Sequence, residues 1–277
     1  MANKAKRKYS IGVFDSGFGG LQILKHIVKE LPEYNYIYLG DTARIPYGSR
    51  SQESILNFAT QAVDFLFKKD CKLIIFACNT VSAKALRKIQ REYLPRHYPD
   101  RKVLGVIIPA VEEVTSKGHN AIGIIATQGS VSSNAFVEEI KKINPNAKVF
   151  QQACPLLVPI VEAGEEKSKA TGIILEKYLK SLLKNNIDAL ILGCTHYGFL
   201  ENKIKKIIGK NIEVISEGKI AAKKLREYLL KHPEIEKALG QSSKINFFTT
   251  DLTEEFEIMG SKFFGKKIVP QKAKIDK

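Results

Sequence analysis

Two of the four cysteines stand where an apolar run gives way to polar residues. Cys78 is followed by Asn79-Thr80, and Cys194 is followed by Thr195-His196. A thiol between the end of a strand and the start of a helix meets free backbone N–H groups, which lower its pKa. Either context alone is typical of a cysteine packed in a core. Two matching contexts favour a chemical function for both thiols.

The number and spacing of the cysteines limit the chemistry that they can do. Four cysteines in 277 residues are too few for a disulfide scaffold, and none has the C-x-x-C spacing of a structural zinc site. Cys71 and Cys154 have no polar cluster behind them, and we expect both to pack in the core. A cysteine protease needs one thiol and a base, and a redox pair needs two sulfurs in contact. Two separated thiols are suited instead to moving protons on opposite faces of one carbon, which inverts that centre.

Side chains that could assist the two thiols are also present. Asp15 ends the first predicted strand, and His196 is the only one of the 5 histidines beside a candidate thiol. The glycines after Asp15 (Gly17, Gly19 and Gly20) lack the spacing of a dinucleotide site, and no P-loop lysine follows them. They allow a close approach of the backbone to a ligand. The sequence therefore indicates two thiols, a carboxyl group and an imidazole as the reacting groups.

Short apolar runs alternate with longer amphipathic stretches along the chain. The runs are predicted to be strands and the stretches helices, which is the pattern of an α/β fold with a parallel sheet. Among them we predict strands over residues 103–108, 121–126, 189–193 and 245–249, and a single helix over residues 80–93. Runs such as residues 73–77 are continuously apolar, as expected where helices cover both faces of a sheet.

Two strand-and-turn segments recur at nearly equal offsets, which indicates a duplicated unit. Residues 11–17 resemble residues 122–130, and residues 73–80 resemble residues 190–196. The alternative is that any two buried strands look alike. From the repeat we predict two similar parallel-sheet α/β domains, related by a pseudo-twofold axis and facing each other across a cleft. Because ligands bind at the carboxyl ends of parallel strands, each domain would place one thiol on a cleft wall. The first domain is predicted to comprise residues 1–108 and 218–277, and the second residues 109–217.

The chain is basic, with 44 lysine and arginine residues against 29 aspartate and glutamate residues and a formal net charge of +15. Lysine pairs such as Lys141-Lys142 lie within helical patterns, whereas specific nucleic-acid contacts favour arginine. A solvated helix surface is therefore the favoured interpretation, and a basic nucleic-acid-associated binding protein is the alternative. No apolar run approaches the roughly 20 residues that span a bilayer, and no signal-peptide pattern follows the basic N-terminus. We expect a cytoplasmic protein with no membrane attachment.

Five short stretches of the chain resemble motifs of the glutamate racemase family, whose members supply D-glutamate for bacterial peptidoglycan. The stretches extend over nearly the whole chain in the family's order, and together they are far more specific than any one alone. Residues 247–250 and 263–265 also resemble the family's C-terminal segment. The five stretches are Phe14-Asp15-Ser16-Gly17-Phe18-Gly19-Gly20, Gly40-Asp41-Thr42-Ala43-Arg44-Ile45-Pro46-Tyr47-Gly48, Ala77-Cys78-Asn79-Thr80, Ala153-Cys154-Pro155-Leu156 and Gly193-Cys194-Thr195-His196-Tyr197.

The resemblance implies an enzyme that interconverts L- and D-glutamate by two-cysteine, two-base proton transfer, with neither a cofactor nor a metal. Cys78 would deprotonate D-glutamate with help from Asp15, and Cys194 would deprotonate L-glutamate with help from His196. D-glutamate would serve cell-wall biogenesis and cell shape, and we expect the enzyme to be a homodimer. Further positions match residues that lie near or hold the substrate in the family: Ser16, Asp41, Pro46, Tyr47, Gly48, Asn79, Thr80, Thr127, Glu162 and Thr195.

One segment departs from the family pattern. Ser216-Glu217-Gly218 stands where Asp-Ser-Gly or a similar tripeptide is expected. It lies outside the residues implied to be catalytic, so the expected activity is unchanged. The alternative within the superfamily is an aspartate racemase or a maleate-type isomerase. The stretches Asp15-Ser16-Gly17 and Pro46-Tyr47-Gly48 argue against that alternative.

Overall fold

The strands of this protein all run parallel to their neighbours. The computed structural model describes residues 8–275. The strands within this range are β1 (Ser10–Asp15), β2 (Tyr36–Gly40), β3 (Cys71–Phe76), β4 (Lys102–Gly105), β5 (Ala121–Ala126), β6 (Lys148–Ala153), β7 (Ala189–Gly193), β8 (Glu213–Ile215), β9 (Ile245–Thr249) and β10 (Pro270–Lys272).

Helices connect the strands and cover the sheets. A 3-10 turn follows β2 (Thr42–Arg44), another follows β7 (Thr195–Leu200), and a π-helical segment spans Ile89–Tyr93. The α-helices are α1 (Gly20–Glu30), α2 (Gln52–Lys68), α3 (Asn79–Lys84), α4 (Leu86–Lys88), α5 (Leu94–His97), α6 (Ile107–Ser116), α7 (Gln128–Ser132), α8 (Ala135–Ile143), α9 (Leu157–Glu162), α10 (Lys169–Leu183), α11 (Glu201–Ile208), α12 (Glu217–Lys231), α13 (Pro233–Glu236) and α14 (Glu254–Phe264).

Two sheets share one pattern of strand order. The first has the order β10-β9-β2-β1-β3-β4, and the second has the order β6-β5-β7-β8. The run β2-β1-β3-β4 therefore recurs in the second sheet as β6-β5-β7-β8. This topology agrees with the repeat inferred from the sequence and confirms the α/β class with two parallel sheets.

The strands that lead to the cleft are fully packed. Strands β2 and β7 are buried at every residue, and β1 is buried from Ile11 onward. Helix α1 packs against α12 and α14 on one side of the first sheet, and α2 packs against β3 on the other. Burial on both faces explains why these strands are continuously apolar rather than alternating.

The chain crosses from one sheet to the other twice. Helix α6 follows β4 of the first sheet and precedes β5 of the second, and α12 follows β8 and leads back towards β9. The boundaries 1–108 with 218–277 and 109–217 stay a prediction, which this sheet membership supports. None of the helices within residues 8–275 is long and apolar enough to cross a membrane.

Some predicted elements are wrong in their bounds. The strand predicted over residues 103–108 ends at Gly105, and α6 begins at Ile107 because Pro109 fits the first turn of a helix, where its missing N–H is not needed. The helix predicted over residues 80–93 is divided into α3, α4 and the π-helical segment. Strand β10 was not predicted, since it is short, starts with Pro270 and pairs at the edge of the sheet.

Candidate active site

A cleft of about 440 Å³ lies at the carboxyl ends of strands from both sheets. Cys78 follows β3 of the first sheet, and Cys194 follows β7 of the second; both line this cleft. Of the residues predicted for the site, those that line it are Ser16, Pro46, Tyr47, Gly48, Cys78, Asn79, Thr80, Thr127, Glu162, Cys194, Thr195 and His196. Asp15 and Asp41 are not on the wall but behind it.

Cys78 is the N-cap residue of α3 on the first wall. The Ser16 hydroxyl lies 3.4 Å from its sulfur. Backbone N–H groups at the start of α3 favour the thiolate, as expected from the sequence. Burial outweighs them, with a further contribution from the charge of Asp15, and raises the pKa of the Cys78 thiol to about 11. The expectation of a lowered pKa is therefore wrong, and the resting group is a thiol.

Asp15 lies beneath the turn that follows β1. Its Oδ2 atom accepts a hydrogen bond of 2.8 Å from the Gly17 N–H, and its Oδ1 atom has no partner among the described residues. Burial raises the pKa of the Asp15 carboxyl, and the nearby charge of His196 opposes that rise only in part. This carboxyl group holds a proton more readily than an exposed aspartic acid does.

The second wall carries a chain of three reactive side chains. The Sγ atom of Cys194 lies 3.9 Å from Nδ1 of His196, and Nε2 of His196 lies 3.0 Å from Oε1 of Glu162. The Thr195 hydroxyl lies 3.4 Å from the same Nδ1 atom. A carboxylate on one side of an imidazole fixes which ring nitrogen carries the hydrogen and leaves the other to act on the thiol.

Cys194 itself is deeply buried. Burial is the largest cause that raises the pKa of the Cys194 thiol well above its usual value, and the charges of Cys78, Glu217 and Asp15 raise it further. A hydrogen bond from the backbone N–H of His196 opposes these effects. The mutual influence of Cys78 and Cys194 means that the second thiol ionises less easily once the first is charged.

The two walls touch each other next to the thiols. A Cβ atom added to Gly19 would lie 2.0 Å from Oγ1 of Thr195 and 2.7 Å from Nδ1 of His196. The hydroxyl groups of Thr80 and Thr127 lie 2.9 Å apart and join the walls at a second place. These contacts hold the two walls of the cleft together.

Asp41 fixes the loop that forms one rim of the cleft. It is fully buried and accepts hydrogen bonds from Tyr47, from Nε of Arg44 at 2.6 Å and from the Thr250 hydroxyl at 2.8 Å. Burial raises the pKa of Tyr47, so the phenol stays protonated and donates. Asp41 thus acts on the cleft through Tyr47, and the bond that holds Tyr47 places the adjoining rim residues Pro46 and Gly48 as well.

The structure also brings residues to the site that the sequence reasoning missed. Cys154, expected to be a packing residue, lines the cleft, whereas Cys71 lies in the core away from it. Glu217 is buried at the start of α12 and accepts a 2.7 Å hydrogen bond from Asn79. The unusual tripeptide around Glu217 was the signal that could have found it. Other unpredicted lining residues are Gly17, Ile45, Ser49, Gln128, Pro155, Val158 and Pro159.

Metal binding finds no support in the side-chain arrangement. Within residues 8–275, no group of three or more His, Cys, Asp or Glu side chains is placed to hold a metal ion. The four cysteines are all free and buried. The chemistry that the cleft does offer is proton transfer by thiols, an imidazole and carboxyl groups.

Comparison with known proteins agrees with this chemistry. Residues 11–225 match the model of the family described as Asp/Glu/Hydantoin racemase. A glutamate racemase from Geobacter metallireducens is 36% identical over 263 residues, which cover 94% of each chain. The crystal structure of a glutamate racemase from Francisella tularensis in complex with D-glutamate is 35% identical, with a TM-score of 0.88 over 98% of this chain and 99% of that one. A glutamate racemase isoform from Bacillus anthracis is 33% identical, with a TM-score of 0.88 over 97% and 98%. The chain is therefore an amino-acid racemase and belongs to the Asp/Glu/hydantoin racemase family, in which the relatives described above are glutamate racemases.

Proposed function

We propose that this protein interconverts L- and D-glutamate by proton transfer between two cysteines, without a cofactor. The observation that carries the proposal is that Cys78 and Cys194 line one cleft from two different sheets, each at the carboxyl end of a strand and each with its own polar partners. The D-glutamate complex of the relative from Francisella tularensis supports the choice of substrate.

The two thiols alone account for both protons that move in the reaction. With Cys78 as thiolate and Cys194 as thiol, the sulfur of Cys78 takes the α-proton of D-glutamate. The S–H of Cys194 then gives its proton to the opposite face of the same carbon. The product is L-glutamate, and the enzyme is left with Cys78 as thiol and Cys194 as thiolate. The reverse reaction starts from that form, and proton exchange with water resets the pair.

High thiol pKa values assist the difficult step. A carbon beside a carboxylate is a very weak acid, and an ordinary thiolate, with a pKa of about 8.5, is a poor base for it. Burial makes the thiolates of Cys78 and Cys194 rarer but stronger bases. The carbanion also needs stabilisation, for which the hydroxyls of Thr80, Thr127 and Thr195 are available around the cleft.

The accessory groups differ between the walls. On the second wall, His196 takes the proton of Cys194 when L-glutamate is the substrate, which leaves Cys194 as the thiolate base, and Glu162 stabilises the imidazolium that results. On the first wall, Asp15 lies behind the Ser16–Cys78 contact and influences the ionisation of Cys78 by its charge. The proposal therefore assigns His196 and Glu162 to the L-glutamate side and Asp15 to the D-glutamate side.

The cellular role follows from the product. We propose that D-glutamate from this reaction supplies peptidoglycan synthesis in the cytoplasm, and that the enzyme works as a homodimer. Racemisation of aspartate in the same cleft is the alternative, and the following assay compares aspartate with glutamate as substrate.

A direct assay tests the proposal. Purified protein in D₂O, without pyridoxal phosphate and with a chelator, should convert L-glutamate to D-glutamate. The D-glutamate formed at low conversion should carry deuterium at the α-carbon, because the thiol that delivers the proton is not the one that removes it. Retention of the substrate's hydrogen in early product would replace the two-base mechanism by a one-base mechanism. Faster turnover of aspartate than of glutamate would overturn the choice of substrate.

A further inference from the structure

Glu217 is the acidic residue of the tripeptide that departs from the family pattern, and it lies directly behind the cleft. It is the first residue of α12 and is only 4% exposed. Its Oε2 atom accepts a 2.7 Å hydrogen bond from Nδ2 of Asn79, which follows Cys78 and lines the cleft. The bond thus joins the segment that returns the chain from the second sheet to the residue beside one thiol.

The surroundings of Glu217 disfavour a carboxylate. On α3 the hydrogen bond donated by Asn79 favours the anion but brings no positive charge, and after β7 Glu217 faces Cys194, whose ionisation its charge would oppose. On α1 the ring of His26 lies against Gly218, and burial lowers the pKa of that imidazole, so it is not a cation at neutral pH. Lys219 on the same helix is exposed. The positive end of α12 favours the anion, but burial prevails and raises the pKa of Glu217 from 4.5 to about 8.

Two unpartnered atoms indicate how the proton is placed. Oε1 of Glu217 and Oδ1 of Asn79 are both buried, and neither has a hydrogen-bond partner in the described part of the chain. A protonated Glu217 has one hydrogen to donate, and the Asn79 side chain that already donates to its other oxygen has one acceptor left. A second hydrogen bond, from Oε1–H to Oδ1, would satisfy both atoms at once.

We propose that Glu217 is a positioning residue that holds Asn79 beside Cys78 as a neutral carboxylic acid, in an acid–carboxamide pair with two hydrogen bonds. The pair fixes the orientation of the Asn79 amide in the cleft. As a neutral group, it adds no negative charge beside thiols that must become thiolates in turn. This role rests on the thiol chemistry of the proposed function, whereas the protonation state of Glu217 does not.

The protonation state is tested by unfolding rather than by activity. Glutamine at position 217 has the same shape, stays neutral and can form both hydrogen bonds with Asn79. Between pH 4.5 and about 8 the folded wild type holds a proton that the unfolded chain releases. Wild-type stability should therefore fall relative to Glu217→Gln as the pH rises through this window, and the difference should level off above about pH 8.

Urea unfolding of both proteins at several pH values measures this difference. Glu227→Gln on the same helix, which removes a carboxylate 3.3 Å from Lys224, is the matched control and should not show that trend. A difference between the wild type and Glu217→Gln that is constant from pH 5 to pH 8 would overturn the neutral acid.

The positioning role is tested by kinetics. Glu217→Gln should keep wild-type kcat and KM at pH 7 and lose the part of the decline above pH 8 that comes from ionisation of Glu217. Glu217→Leu, which leaves the Asn79 amide unheld, should lower kcat/KM by about 10- to 100-fold, as expected for a hydrogen bond to a charged substrate. Glu217→Ser, with a side chain too short to hold Asn79, should behave like Glu217→Leu and serves if the leucine variant does not fold.

Each outcome separates the two proposals. Wild-type kcat and KM in both Glu217→Ser and Glu217→Leu would overturn the positioning role. A protein that does not racemise glutamate at all would overturn the proposed function, while the unfolding comparison would still decide whether Glu217 is a neutral acid.

Discussion

The Nε2 atom of His196 lies 3.0 Å from a carboxylate oxygen of Glu162. A carboxylate accepts, so Nε2 carries the hydrogen and Nδ1 is left as the acceptor towards Cys194. The first wall has no such arrangement, because Asp15 is held by the backbone N–H of Gly17 instead. The two thiols therefore have partners of different chemistry.

Replacing Glu162 by glutamine tests the importance of this contact. We expect Glu162→Gln to lower kcat/KM by about 10²-fold. The variant loses the negative charge that stabilises the imidazolium of His196 and that fixes the tautomer of the neutral imidazole. The measurement is steady-state racemisation in both directions by circular dichroism. Glu165→Gln, an exposed carboxylate three residues away, is the control and should keep wild-type activity. Equal activity in Glu162→Gln would show that the contact is structural only.

The cysteines should fall into two functional classes. Cys78→Ala and Cys194→Ala should each lower racemisation by about 10²–10⁴-fold or more, as expected for loss of an acid–base group. Cys71→Ala should retain most activity, since Cys71 lies in the core away from the cleft. Cys154 lines the cleft and its sulfur lies 3.6 Å from the backbone carbonyl oxygen of Gln152, so Cys154→Ala should change KM more than kcat. A Cys194 variant with near-normal turnover would contradict the two-base assignment.

Isotope effects should separate the two walls. We expect His196→Asn to raise the barrier mainly at the Cys194 step and Asp15→Asn mainly at the Cys78 step. The overall equilibrium between enantiomers is fixed by symmetry, so the primary deuterium isotope effect is the readout. For His196→Asn it should grow with α-deuterated L-glutamate and shrink with α-deuterated D-glutamate, and Asp15→Asn should do the reverse. The same pattern in both variants would argue for a general structural role.

Alkylation should report the raised pKa of Cys78. Since burial raises that pKa to about 11, the thiolate fraction should increase about tenfold per pH unit from pH 7 to pH 9 without levelling off. The rate of carbamidomethylation of Cys78 by iodoacetamide, followed by mass spectrometry, measures this fraction. A rate that reaches its plateau near pH 7 would mean that the thiolate is stabilised in the resting enzyme.

The contact between the walls should be sensitive to a single methyl group. An alanine Cβ at position 19 would lie 2.0 Å from Oγ1 of Thr195, so Gly19→Ala must push the walls apart. We expect a loss of about 1–3 kcal/mol in the free energy of unfolding and about 10²-fold in kcat/KM. Gly172→Ala in α10, where a Cβ meets nothing within 4 Å, is the control. Wild-type kinetics in Gly19→Ala would show that the walls separate without consequence.

Much of the fold followed from the order of apolar runs in the sequence. The runs that became β5, β7 and β9 were predicted with the observed bounds, because buried parallel strands bounded by polar turns are the clearest pattern of all. Helices α6 and α9 were missed. Each carries a proline at its third position, Pro109 and Pro159, where the first turn needs no N–H donor. A domain boundary was predicted at Pro109, although both prolines mark helix starts.

Only the site residues that lie next to predicted strands could be predicted from the sequence. Cys78, Cys194 and His196 lie within three residues of the ends of β3 and β7, so their positions at the carboxyl edge were predictable. The contact of Glu162 with His196 joins residues 34 positions apart, and that of Glu217 with Asn79 joins residues 138 apart. Such pairs depend on how the sheets are placed, which no local pattern specifies. Burial also reversed the expected direction of the Cys78 pKa shift, since the depth of the cleft is a tertiary property.

The recurrence of the strand order β2-β1-β3-β4 as β6-β5-β7-β8 bears on the stereochemistry of the proposed reaction. A planar carbanion has two faces, and the proposed two-base mechanism needs an acid–base group over each. Each α/β unit of this chain contributes one of the two cysteines, from the carboxyl end of β3 or of β7. Two copies that face each other place a thiol over each face of the carbanion, both from the same kind of strand end. A chiral enzyme can therefore act on both enantiomers of its substrate.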